Sequence, residues 1–180
     1  MRFALIRHRD GPASIADSIA VKLDVTSGAI LLRYHAELPL DRLALPPRRD
    51  PVRADGLWQT TCFELFLRPA RQPAYYEFNF SPSGEWAAYG FDGARTGMRD
   101  LDLPSAPEIC LDTGDSHFAL EVTLALPHDF RDAAFDVGIS AVIEDVDGNK
   151  AYWALAHPSG APDFHAPDCF VVQLPPQVRP

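Results

Sequence analysis

The chain has 180 residues, 47% of them hydrophobic and 23% charged, with a formal net charge of −9 at neutral pH. That balance belongs to a folded globular chain rather than a disordered one, and no apolar run approaches the ~20 residues of a membrane-spanning helix. The acidic excess opposes a nucleic-acid partner, whose recognition rests on Lys and Arg contacts to phosphate.

The length suits one domain over 1–180, closing in a Pro-rich tail at 175–180. At the N-terminus, MRFALIRHRDGP breaks its apolar run at Arg7, His8 and Arg9. It therefore lacks the apolar core of a secretory signal, and the expected location is the cytoplasm. Cys62, Cys110 and Cys169 form no CxxC pair and lie in apolar runs, so all three are expected as buried reduced thiols.

Apolar and polar residues alternate over short runs closed by Gly, Pro, Asn or Asp, the pattern of strands. In chain order the runs are 19–26 with 29–38 across Ser27-Gly28, then 60–67, 74–81 and 86–91, the last two joined at Pro82-Ser83-Gly84. Next come 108–112 with 117–126, then 136–145 with 150–156 across Asp147-Gly148-Asn149, a strong hairpin signal. A last run covers 169–174. Ten such runs in hairpin order predict an all-β fold, an antiparallel β-sandwich of immunoglobulin-like or jelly-roll-like type. Segments 39–57, 92–107 and 157–168 are expected as loops, and much of the chain's 17 Pro falls in them and in the tail. The first of them carries Arg48, Arg49 and Arg53, either solvated or poised for phosphate or a partner.

Strand parity identifies the candidate site. Residues Cys62, Glu64 and Phe66 share one face of their strand, and Tyr75, Glu77 and Asn79 share one face of the next. If the two strands pair, Glu64, Glu77 and Asn79 converge. A carboxylate on a half-buried face needs a partner. The partner is either structural, such as a Tyr hydroxyl or Arg95, or a polyhydroxylated ligand with an indole packed on its apolar face. Trp58, Trp86 and Trp153 are the three available indoles.

In HPSGAPDFHAPD, His157, Asp163, His165 and Asp168 are acceptable metal-ligand types, but their spacing matches no closed zinc motif. GxSxG, HExxH, phosphate-loop and GxGxxG motifs are absent, and Ser83 does not sit in a nucleophile elbow. A Glu64 and Glu77 pair remains the one carboxylate arrangement open to glycoside hydrolysis.

The stretches DGLWQTTCFELFL, YYEFNFSPSGEWAAYGFDGARTGM and AYWALAHPSGAPDFHAPDCF together resemble the bacterial DOMON-like family, related to DOMON domains and to family 9 carbohydrate-binding modules. The resemblance implies a non-enzymatic β-sandwich that binds a small polar, saccharide-like ligand, with a link to cell-wall metabolism. Its sugar-binding branch implies aromatic rings clamping the ligand, which Trp58, Trp86 and Trp153 could supply; with the strand-parity residues Glu64, Glu77 and Asn79 and the loop residues His157 and His165 they make up the candidate ligand contacts. The haem-binding branch implies an alternative, with Met98 and either His157 or His165 as axial ligands. A protein-interaction domain is the further alternative.

Overall fold

The computed structural model describes residues 1–26 and 28–176; Ser27 of the first hairpin turn and the last four residues of the tail lie outside them. Thirteen strands occur among the described residues. They are β1 (Arg2–Ala4), β2 (Ile6–Arg7), β3 (Ser18–Val25), β4 (Ala29–Glu37), β5 (Cys62–Pro69), β6 (Tyr75–Phe80) and β7 (Trp86–Phe91). The second half adds β8 (Arg99–Asp100), β9 (Glu108–Gly114), β10 (His117–Ala125), β11 (Phe135–Glu144), β12 (Lys150–Ala154) and β13 (Val172–Leu174). None of the helices among the described residues is long and apolar enough to cross a membrane.

The strands form two antiparallel sheets. One has the order β1-β3-β4-β10-β9; the other runs β2-β12-β11-β5-β6-β7-β8, with β13 beside the start of β11. In β3 and β4 strict alternation buries every second residue. The buried set, Ile19, Val21, Leu23, Ile30, Leu32 and Tyr34, meets Phe63, Leu65, Phe78, Phe80 and Ile139 of the opposite sheet in one core. Two sheets packed face to face in this way make an antiparallel β-sandwich.

Ten strands follow the periodicity, and three do not. β1, β2 and β8 are two or three residues long, too short for any period to register, and they form only because an edge is there to pair with. The run at 169–174 is strand only from Val172; its start closes a 3-10 turn at Pro167–Cys169.

β5, β6 and β7 are buried on both faces, unlike β3 and β4. Their outer face carries a second apolar cluster that includes Leu57, Cys62, Phe66, Tyr75, Tyr89, Phe91 and Phe170, with Phe164 packed against it. The three long loops supply its roof. Two expectations are corrected here. Cys110 is exposed, because parity in edge strand β9 sends Ile109 inward and its neighbour out. Arg53 is not the solvated side chain expected but half-buried, whereas Arg48 and Arg49 stay exposed. Arg48 donates to the Pro82 carbonyl, while Arg53 donates to those of Ala88 and Leu101 and lies 4.7 Å over the Trp86 ring.

Candidate functional site

The core fixes the floor of the site. Since Phe63, Leu65 and Leu67 face the opposite sheet, Cys62, Glu64 and Phe66 must face outward. The same logic turns Tyr75, Glu77 and Asn79 outward on β6. Pairing places Asn79 opposite Glu64 and Glu77 opposite Phe66, so the two carboxyls are diagonal neighbours, a relation worth about 7–8 Å between backbones. On the other side of β5, Ser140 of β11 stands opposite Glu64.

Each carboxyl uses one oxygen in an internal hydrogen bond. Ser140 Oγ donates to Glu64 Oε2 at 2.7 Å, and Asn79 Nδ2 donates to Glu77 Oε1 at 2.7 Å. Glu77 Oε2 stands 3.7 Å from His165 Nε2. Burial, and then the charge of Glu77, pushes the Glu64 carboxyl up to about 8; the Ser140 bond and Arg95 act against that rise. Burial raises Glu77 as well, opposed by Asn79 and Arg95. Glu64 is therefore a neutral acid at pH 7.

Burial and then Arg95 lower the imidazole of His165 to about 4, so it too is neutral. The Tyr75 hydroxyl accepts the Arg95 backbone N–H at 3.2 Å, which leaves its own proton for His165 Nδ1 at 2.7 Å. The hydrogen-bond pattern thus sets the tautomer with Nε2–H pointing toward Glu77.

Loops build the walls. Gly56 adopts φ 74°, the left-handed conformation glycine reaches most readily, and starts the 3-10 turn Leu57–Gln59 that presents Trp58. Beside it the Tyr89 hydroxyl donates to Asp55 at 2.7 Å, and the Tyr89 ring stands edge-on to Trp58 at 6.3 Å. From the 92–107 loop, Arg95 reaches Asp163 of the 157–168 loop at 2.7 Å and ties the two together. The open cavity between them measures about 360 Å³ and is lined by Trp58, Glu64, Glu77 and His165 together with Phe91, Arg95, Met98, Tyr152 and Phe164. Small-ligand sites run from about 300 to 1,000 Å³.

Four of the residues singled out from the sequence as ligand contacts meet in this cavity: Trp58, Glu64, Glu77 and His165. Asn79 lies beneath, fully buried, as the donor that orients Glu77. Trp86 and Trp153 do not reach it. Parity turns both indoles into the core between the sheets, where Trp153 Nε1 donates to Ser14. His157 bonds the Ile6 carbonyl through Nε2 at 2.8 Å and packs edge-on against His8.

The metal reading finds no geometry. Asp163 is engaged with Arg95, Asp168 is exposed, and no group of three His, Cys, Asp or Glu side chains among the described residues is placed to hold an ion. For a haem iron, Met98 and His165 both line the cavity, but His165 already commits Nδ1 to Tyr75.

Ser140, Tyr152, Phe91 and Phe164 did not stand out in the sequence. Parity on β11 and β12 signals the first two once the strand pairing is known; Phe164 sits in an aperiodic loop with no such signal. A larger depression of about 540 Å³ lies on the outer face of the five-stranded sheet, around Lys22, Arg33, His35 and Glu121. Its charges pair with one another at the surface, Lys22 with Asp24 and Arg33 with Glu121, so it offers no desolvated group to a ligand.

No family model matches the chain, and no curated protein matches it by sequence. Solved structures do match. A candidate carbohydrate-binding protein from Bacteroides uniformis aligns with a TM-score of 0.66 at 15% identity, over 95% of this chain and 84% of that one. A family 9 carbohydrate-binding module from Caldicellulosiruptor kristjanssonii, in complex with cellotriose, aligns at 0.59 and 11% identity over 98% of this chain and 83% of that one. In complex with glucose, such a module aligns at 0.51 and 11% over 82% and 73%. At these identities the likeness is one of fold, an antiparallel β-sandwich.

Proposed function

We propose that the chain is a non-enzymatic module that holds a saccharide in the cavity on the outer face of its eight-stranded sheet. The observation that carries this reading is the meeting of two desolvated carboxyls with an aromatic wall: Glu64 and Glu77 on the floor, Trp58, Phe91, Tyr152 and Phe164 around them. Carboxyl oxygens accept from sugar hydroxyls in pairs, while rings cover the C–H face of the pyranose. The DOMON-like motifs and the sugar complexes of the family 9 modules support the same ligand class.

Titration calorimetry against a panel of mono- and oligosaccharides is expected to find at least one binder, with affinity reduced about tenfold or more in Trp58→Ala. Folded protein that binds no member of the panel would remove the proposal.

A further inference from the structure

We infer that the saccharide bound here carries a primary ammonium group, for which Glu64 and Glu77 serve as paired acceptors and counter-ions. This inference rests on the saccharide-binding reading and narrows it. Glu64 is only 2% exposed, and its Oε1 has no hydrogen-bond partner among the described residues although the residue lines the cavity. Glu77 Oε2 stands 3.7 Å from His165, beyond hydrogen-bonding reach. Glu77 Oε2 is thus an acceptor without a hydrogen bond, and Glu64 Oε1 becomes a second one when Glu64 ionises.

Among the described residues, no Lys or Arg bonds either carboxyl. Arg95 is the one Lys or Arg lining the cavity, and its guanidinium bonds Asp163 at 2.7 Å with its side chain 60% exposed at the rim. The groups around Glu64 are Glu77 on β6, Cys62 on its own strand, Tyr34 from the facing sheet, and Arg95, Asp163 and His165 from the loops. Tyr152 closes the ring from β12. Tyr34 and Cys62 are held neutral by burial, and His165 is neutral by burial and Arg95. Arg95, bonded to Asp163, favours both carboxylates by its charge without contacting either.

Against such a floor, a hydroxyl offers one donor and no charge. An ammonium offers three donors and the positive charge that a buried carboxylate pair lacks. Its arrival also favours ionised Glu64, so binding releases the proton that Glu64 holds in the free protein. A neutral sugar leaves that proton in place.

The test is calorimetric titration of the full chain at about pH 6.5, where a sugar amine is charged, with glucosamine, glucose, N-acetylglucosamine and ethylammonium. Two buffers of different ionisation enthalpy report proton release. Glucosamine is expected to bind at least about tenfold tighter than either neutral sugar and to release up to about one proton, with none for glucose. Glu64→Gln and Glu77→Gln, checked for folding, each move the glucosamine-to-glucose ratio toward one. Should either variant not fold, the wild-type preference and proton count decide alone. Neutral sugars binding as tightly as glucosamine would overturn the ammonium inference while sparing the saccharide reading. Ethylammonium binding without any sugar would overturn the saccharide reading, and the amino-sugar inference with it, leaving a bare cation site, and no binding at all would sink both.

Discussion

Glu64 carries a large perturbation with a clear physical cause, and its sign is testable without a ligand. An unfolded glutamate titrates near 4.5, whereas burial and Glu77 hold the native group near 8. A raised carboxyl favours the fold fully below the unfolded value and loses that contribution as pH climbs through the native one. His165 works in the opposite sense, since its depressed value costs stability as pH falls from 6.5 toward about 4. The Glu64 effect is thus read most cleanly between about pH 6.5 and 8.5. Over that window the urea midpoint of the wild type is expected to fall, by an amount of the order of a few kcal/mol in stability. Glu64→Gln keeps the shape and an acceptor for Ser140 but cannot ionise, so its profile flattens. Parallel profiles for the two proteins would show that Glu64 is not held neutral.

Among the elements, the β6–β7 hairpin shows what periodicity reveals and where it stops. The alternation in YYEFNF, with the turn Pro82-Ser83-Gly84, announces both strands, and the structure gives them as Tyr75–Phe80 and Trp86–Phe91. Parity also predicted that Glu64, Glu77 and Asn79 would share a face, and they do. What it could not give was the identity of that face. Glu64 and Trp86 sit on strands buried from both sides, and only pairing with the second sheet decides that Glu64 turns toward the loops and Trp86 toward the core. The loop partners are further from reach, because Phe164 and Arg95 are delivered by irregular backbone that has no period.

The hairpin turn separates stability from binding. Gly84 has φ 98°, and a Cβ there would stand 3.1 Å from the Arg49 carbonyl. Gly84→Ala is expected to cost roughly 1–3 kcal/mol in chemical denaturation. Saccharide affinity should hold, since no residue of that turn lines the cavity. An affinity loss comparable to that of Trp58→Ala would mean that the turn and the site are coupled.

At the scale of the whole molecule, one sandwich carries two differently used outer faces. The five-stranded sheet shows solvent a surface of paired charges, such as Arg33 with Glu121. The eight-stranded sheet is roofed by the three long loops, whose sequence is Pro-rich and aperiodic. Arg53 pins one loop over β7, the Arg95 to Asp163 bridge joins the other two, and together they leave a walled cavity above a polar floor. Core, floor and roof are built from one another, so the site is a product of the fold rather than an addition to it.

The three tryptophans allow that claim to be read in a single titration. Trp58 is 40% exposed at the cavity, while Trp86 and Trp153 are buried between the sheets. In a ¹H–¹⁵N correlation spectrum their indole N–H groups give three separate probes. Adding a binding saccharide is expected to shift the Trp58 indole resonance strongly and saturably and to leave those of Trp86 and Trp153 nearly still. A bound saccharide that leaves Trp58 unmoved, or that moves only Trp86 and Trp153, would contradict the account.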